Sequence, residues 1–251
     1  MPVSGTVITL AHIRDACREC SLRELCLPLG LGAEDMAALD RIVKRRRPLA
    51  KGEVLYRMGD TLTSLYAIRS GAFKTAELLP DGRGQISGFH LAGELLGIDA
   101  INADRHPCTA EALEPSEVCE LPFARLEKAA REIPGLQHQL LRLMSGQIRQ
   151  DETLMLMLGK MSAEERLAAW LVSFARRRER LGQRLDRFRL SMSRQDLGDY
   201  LGLALETVSR LFSRFQEEGL LAVQGKNVEI LDLARLEGRL GAAERSRAGK
   251  P

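Results

Sequence analysis

The sequence predicts an α+β protein in three parts: an N-terminal β-roll, a long helix and a C-terminal winged helix-turn-helix. Three observations carry that expectation. Turn formers recur at short intervals between Pro48 and Phe123, no proline stands between Pro134 and Pro251, and two serine-led helical stretches near the end are followed by a small hairpin pattern. At 251 residues, 45% of them hydrophobic, the chain exceeds the ~100–200 residues of one typical domain and can bury more than one core.

The first part, residues 1–30, is marked by cysteine. Cys17, Cys20 and Cys26 follow a C-x2-C-x5-C spacing, and the chain holds five cysteines in all, an odd number. No charged leader precedes an apolar run, so the thiols read as a metal or redox site rather than disulfides. One loop can bring three thiolates around one soft metal centre. A fourth ligand can come from Cys108 or Cys119, and four thiolates serve zinc and iron–sulfur groups alike.

Residues 31–133 form the expected roll. Lys51-Gly52, Gly59-Asp60, Ser70-Gly71, Asp81-Gly82 and Ala92-Gly93 punctuate short apolar runs, as in sandwiches and rolls. Leu65–Ile68 and Ile86–Phe89 read as strands, with Pro80–Gly84 as a hairpin loop between them.

Residues 134–160 should be one helix, since proline is tolerated in a first helical turn. Leu141, Met144, Ile148, Asp151, Met155 and Leu158 recur at threes and fours, the spacing of a coiled-coil seam, and make this helix the expected dimerisation element. Asp151 is the one acid in that series. In a parallel homodimer it would face its own copy and weaken the pair unless the cysteine segment covers it.

Residues 161–240 read as the winged helix-turn-helix, and 241–251 as a tail. Ser162 can cap a helix opening at Ala163, and Ser193 with Asp196 forms a capping-box pair. Gly202 permits a tight turn, while Leu197, Leu201, Leu203, Val208 and Leu211 can fix the two helices together. The other side of the second helix then presents Glu206, Ser209 and Arg210, whose chemistry suits base edges in the major groove of double-stranded DNA. Gly225-Lys226-Asn227 reads as the wing's hairpin.

Net charge is only +3, which excludes a uniformly basic nucleic-acid coat. A local field remains: eight arginines (176, 177, 178, 180, 184, 187, 189, 194) stand against Glu179 and Asp186, and such a field attracts phosphate. No apolar window is long enough to span a membrane, so the expected location is the cytoplasm.

The stretches Cys17–Cys26, Ser64–Gly71, Gly88–Glu94, Ala163–Ala169 and Glu206–Arg210 together resemble the FNR-type anaerobic regulators of the CRP/FNR superfamily, nearest to its Anr and FNR branch. The likeness runs from about Cys17 to Ile230. It implies a cyclic-nucleotide-binding-like sensor roll and an oxygen-labile 4Fe-4S cluster on Cys17, Cys20, Cys26 and Cys119, with Cys108 to spare. It further implies that oxygen converts the cluster to a 2Fe-2S form and that the active homodimer falls to monomers. A two-fold symmetric promoter site of the TTGAT…ATCAA kind is thereby released. Glu206, Ser209 and Arg210 match the base-reading positions, and RNA polymerase is contacted through surface loops, for which the Asp81-Gly82 hairpin is a candidate.

Two regulators of the same superfamily compete: one responsive to a cyclic nucleotide, one stabilised by zinc. Gly93-Glu94-Leu95 matches the turn that holds a cyclic nucleotide, but His106-Pro107 stands where an Arg-Ser pair should hold the phosphate. An enzyme of the cupin kind needs clustered histidines, and the roll has only His90 and His106, each expected at the surface or in a hydrogen bond. The expectation is a regulator and not an enzyme.

Overall fold

Alternating burial along short strands is what closes the N-terminal half. In β1 (Arg46–Leu49), β2 (Val54–Tyr56), β3 (Ser64–Ser70), β4 (Ala72–Leu78), β5 (Gly84–Leu91), β6 (Leu95–Leu96), β7 (Thr109–Ala112) and β8 (Ser116–Pro122), inward and outward residues tend to alternate, as along β7 and the start of β8. They make two four-stranded antiparallel sheets, ordered β1-β8-β3-β6 and β2-β7-β4-β5, packed as a roll around Phe73, Ile68 and Val118. The structure is a computed structural model that describes residues 17, 20, 22, 26–44, 46–78 and 84–240. The hairpin around Pro80–Gly84 joins β5 to β4, a strand the sequence reading left unassigned. Its tip, with Asp81-Gly82, and the tail 241–251 lie outside the described residues. Gly71, at φ +84°, makes the corner between β3 and β4, where a Cβ would sit 2.0 Å from Ser116 Oγ.

Helices α1 (Ala33–Ile42) and α2 (Phe123–Glu132) flank the roll and share a second core with its first sheet, in which Leu39, Leu65, Leu121 and Leu126 are buried. Helix α3 spans Pro134–Lys160, with proline in its first turn. Only its opening turns join that core, through Leu136, Leu140 and Leu143.

The C-terminal part comprises α4 (Ala163–Arg180), β9 (Arg187–Arg189), α5 (Arg194–Leu201), α6 (Leu205–Glu217), β10 (Leu221–Gln224), β11 (Asn227–Ile230) and α7 (Leu233–Gly238). The expected capping box of Ser193 with Asp196 is present, and the expected Ser162 cap is itself a capping box with Glu165. Strands β10 and β11 pair across Gln224 and Asn227, leaving Gly225-Lys226 as a two-residue turn with Gly225 at φ +61°. Strand β9 completes this wing in the order β10-β11-β9.

The two halves are docked. The ring of Phe89 of β5 lies tilted 5.0 Å from that of Tyr200 of α5 and edge-on 6.1 Å from that of Trp170 of α4. Lys74 Nζ meets Asp196 at 2.9 Å. Among the described residues no helix is long and apolar enough to cross a membrane.

Candidate functional site

Local chemistry builds the helix pair. Gly202 ends α5 in the left-handed region, at φ +64°, as its sequence position suggests. Gly198 is equally required, because a Cβ there would lie 2.5 Å from Leu203 O. Composition gives no sign of that close approach. Leu197, Leu201, Val208, Leu211, Phe212 and Phe215 are buried between the helices and the rest of the domain. Glu206, Ser209 and Arg210 are all exposed on the outer face of α6, and Ser213, one turn further on, extends the same row. The hydrogen bond described for the Arg210 side chain is a long one, from Nη2 to Thr207 Oγ1 at 3.4 Å.

Six of the eight arginines of the basic field are engaged by acids or aromatic rings. Arg176 pairs with Glu237 at 2.6 Å, Arg184 with Asp186 at 2.7 Å and Arg187 with Glu229 at 2.5 Å. Arg178 lies 5.9 Å over the rings of Phe174 and Phe188. Arg194 sits 3.2 Å over Phe212, and burial lowers its pKa to about 10. Arg177 is 11% exposed and holds both oxygens of Glu94, at 2.6 and 3.0 Å, while its Nη2 also donates to Phe89 O at 2.6 Å. Of the eight, Arg180 and Arg189 are exposed and make no ion pair among the described residues.

On α3, Leu141, Ile148 and Met155 are 58%, 57% and 73% exposed at successive intervals of seven, an uncovered apolar stripe. Met144 and Leu158 flank it, half-buried. Asp151 is exposed beside the stripe and accepts from Gln147 Nε2 at 2.8 Å, and desolvation by its surroundings raises its carboxyl pKa. The described part of the cysteine segment does not reach it. That segment meets α3 at Gln139, whose buried Nε2 donates to Cys26 O at 3.1 Å, twelve residues or about 18 Å of helix before Asp151.

Cys17, Cys20, Cys26 and Cys119 line one cavity of about 30 Å³, whose remaining walls include Leu27, Leu39, Val43, Ala67 and Leu121. Cys119 comes from β8, where it pairs with Ala67 of β3. Cys17 is buried, and its backbone N–H donates to Asp40 of α1 at 2.9 Å. Burial pushes the Cys17 thiol up, reinforced by Asp40, and pushes Cys26 up to about 12. Among the described residues no three histidine, cysteine or acidic side chains form a single-ion site. Four sulfurs about a largely apolar cavity are the donor chemistry of a soft metal group. Cys108 is elsewhere, buried just before β7, where its Sγ donates to Asp99 at 3.2 Å.

A second cavity of about 340 Å³ opens between the β4–β5 sheet and α3. Carboxylates Glu77, Asp99 and Asp151 line it with Thr75, Ser87 and His90, Pro107 forms part of its wall, and neither lysine nor arginine does. Contrary to the surface position left open for them, His90 and His106 are both buried. His90 Nε2 bonds Thr75 Oγ1 at 3.0 Å, and burial lowers its pKa to about 4. His106 stacks on Tyr56 with centroids 3.7 Å apart.

Residues 165–239 match the Crp-like helix-turn-helix domain family, and residues 46–132 match the cyclic nucleotide-binding domain family. The chain is 53% identical over 234 residues to the transcriptional activator protein Anr of Pseudomonas protegens, covering 93% of this chain and 96% of that one. It is 48% identical over 225 residues to the fumarate and nitrate reduction regulatory protein of Escherichia coli, covering 88% and 90%. Among solved structures, FixK2 from Bradyrhizobium japonicum superposes with a TM-score of 0.71 at 34% identity, over 77% of this chain and 95% of that one.

Proposed function

The chain belongs to the FNR-type transcription regulators of the CRP/FNR superfamily, and from that premise we propose that it is an oxygen-responsive, homodimeric activator governed by a 4Fe-4S cluster on Cys17, Cys20, Cys26 and Cys119. The observation that carries this reading is the convergence of those four thiols on one cavity while Cys108 is engaged with Asp99 in another part of the roll. When bound, such a group supplies oxygen-labile iron–sulfide bonds. The chain supplies the rest. Cys17 and Cys26, whose thiols burial keeps protonated, give up protons on ligation. Gln139 and the Leu136–Leu143 turns connect that segment to α3, whose stripe of Leu141, Ile148 and Met155 offers the dimer contact.

Each protomer then presents α6, with Arg210 suited to a guanine, Glu206 to a cytosine and Ser209 to base or phosphate, to one half of a two-fold symmetric DNA site. The activator role of the relatives extends to RNA polymerase as a partner, for which the loop at Asp81-Gly82 is the candidate. Cytoplasmic location accords with DNA as the target. A cyclic nucleotide is disfavoured as the effector, because His106-Pro107 stands where an Arg-Ser pair should hold the phosphate and Glu94 is held by Arg177.

The test is sedimentation and DNA binding of one anaerobic preparation before and after air. A dimer that selects a TTGAT…ATCAA duplex over a scrambled one, and loses both dimer and selection in air, is the expected result. A dimer indifferent to oxygen would overturn the reading. At the base level, Arg210→Ala should lose discrimination at one base pair per half-site, at a cost of about 1–3 kcal/mol.

A further inference from the structure

The seam-bearing helix and the DNA-reading helix pair meet at one side chain. Only Met161 and Ser162 separate α3 from α4, and Arg166 projects from the first turn of α4. Its guanidinium donates from Nη2 to Leu158 O at 2.8 Å, from Nε to Met161 O at 3.0 Å and from Nη1 to Leu201 O at 3.0 Å. Leu158 and Met161 stand at the end of α3, and Leu201 is the last residue of α5. The helix ends explain why a cation sits there. The N–H of Ser162, which would answer Leu158 O if α3 continued, is bonded to Glu165 instead, at 2.8 Å. Orphan carbonyls at helix C-termini carry partial negative charge, and a guanidinium answers several at once with charge-assisted bonds.

The backbone of Arg166 is itself fixed, because its N–H donates to Ser162 O at 2.9 Å behind the Ser162–Glu165 capping box. Beside it, the helix-turn-helix corner rests on the seam. A Cβ on Gly202 would lie 3.3 Å from Leu158 Cδ2 and 3.4 Å from Arg166 Nη1.

We propose that Arg166 is the positioning residue that clamps the helix-turn-helix to the end of α3 and so sets the separation of the two recognition helices in the dimer. The inference rests on the dimeric, two-fold DNA reading above. Each α5–α6 pair is carried at a fixed angle from the seam, so the dimer accepts half-sites at one spacing. A lysine at 166 keeps the charge but replaces a planar fork by a point donor that cannot span three carbonyls on two helices.

The experiment uses the full chain, prepared anaerobically, and compares its affinity for a duplex with properly spaced half-sites and for one with about two extra base pairs between them, roughly a fifth of a turn. Wild type should strongly prefer the first. Arg166→Lys should narrow that preference by about tenfold, the scale of one lost charge-assisted bond, while remaining dimeric. A merely stabilising role would weaken both duplexes alike and leave the ratio unchanged, which would overturn the proposal. So would a fall of about one in the slope of log affinity against log salt, because that marks a phosphate contact. Should Arg166→Lys fail to fold, Arg166→Gln, whose planar amide reaches fewer of the three carbonyls, carries the same expectation and the same refutations. If wild type binds the two duplexes alike, the two-fold dimer reading itself fails, an outcome decided without any variant.

Discussion

Two cavities of the roll have chemically opposite linings. Between the cysteine segment, α1 and strands β3 and β8, four cysteines face leucine, valine and alanine in a space of about 30 Å³. Along the second half of α3, a space of about 340 Å³ is edged by carboxylates, hydroxyls and a buried histidine. The larger one carries no lysine or arginine to meet a phosphate. The smaller one has the soft donors. Which ligand a cavity suits follows from the side chains that line it rather than from its volume.

The largest effects should come from the smaller cavity. Cys17→Ser, Cys20→Ser, Cys26→Ser and Cys119→Ser should each abolish iron retention under anaerobic purification, whereas Cys108→Ser should keep it. Iron and sulfide analysis of the five variants decides this, and loss confined to Cys108→Ser would reverse the assignment.

Next in size is the salt bridge joining the roll to α4. Glu94→Ala strands the Arg177 guanidinium at a site where it is 11% exposed, and should cost about 2 kcal/mol of stability in a denaturant titration. A loss within about 0.5 kcal/mol, the ordinary size for surface changes, would show that the pair contributes little.

The larger cavity also has a pH signature. His90 titrates near 4 in the folded chain against an ordinary 6.5, so between those values the unfolded chain binds the extra proton. The contribution of His90 is therefore complete above pH 6.5 and is lost as pH falls toward 4. At pH 5 the loss should be about 2 kcal/mol, at ~1.4 kcal/mol per unit. Cluster-free wild type and His90→Asn, unfolded at pH 7 and pH 5, should differ by that amount in their pH dependence. Equal dependence would remove His90 as the cause.

The smallest expected effect is none. A ligand at a hundred times its Kd adds about 2.7 kcal/mol to stability, so cyclic AMP at such an excess would raise the melting temperature of any true receptor. Here it should leave it unchanged, and a rise would make the two cavities equals.

What was legible in the sequence was local. Capping boxes, the left-handed Gly202 and the periodicity of α6 lie within a few residues of their partners, so the helix pair could be read directly. The spacing of Cys17, Cys20 and Cys26 is local too. Cys119 needed the family resemblance, because its place beside them depends on β8 pairing with β3 in one register, a long-range fact that spacing does not encode. The partners of the basic run were hidden for the same reason: Arg177 finds Glu94 83 positions away and Arg176 finds Glu237 61 positions away. Arg166 was quoted only as part of a resemblance, since its three acceptors are backbone carbonyls that no side-chain pattern announces. For Asp151, the stripe was read at the right period, but the cysteine segment packs against the other end of the helix.

The measurement that bears most directly on the central claim is the metal content of wild-type protein purified without oxygen. About four irons and four sulfides per chain, with a brown colour that fades in air, is the predicted result for a cysteine-ligated 4Fe-4S group. Colourless protein carrying one zinc per chain would contradict it, leaving a zinc-stabilised regulator on the same fold.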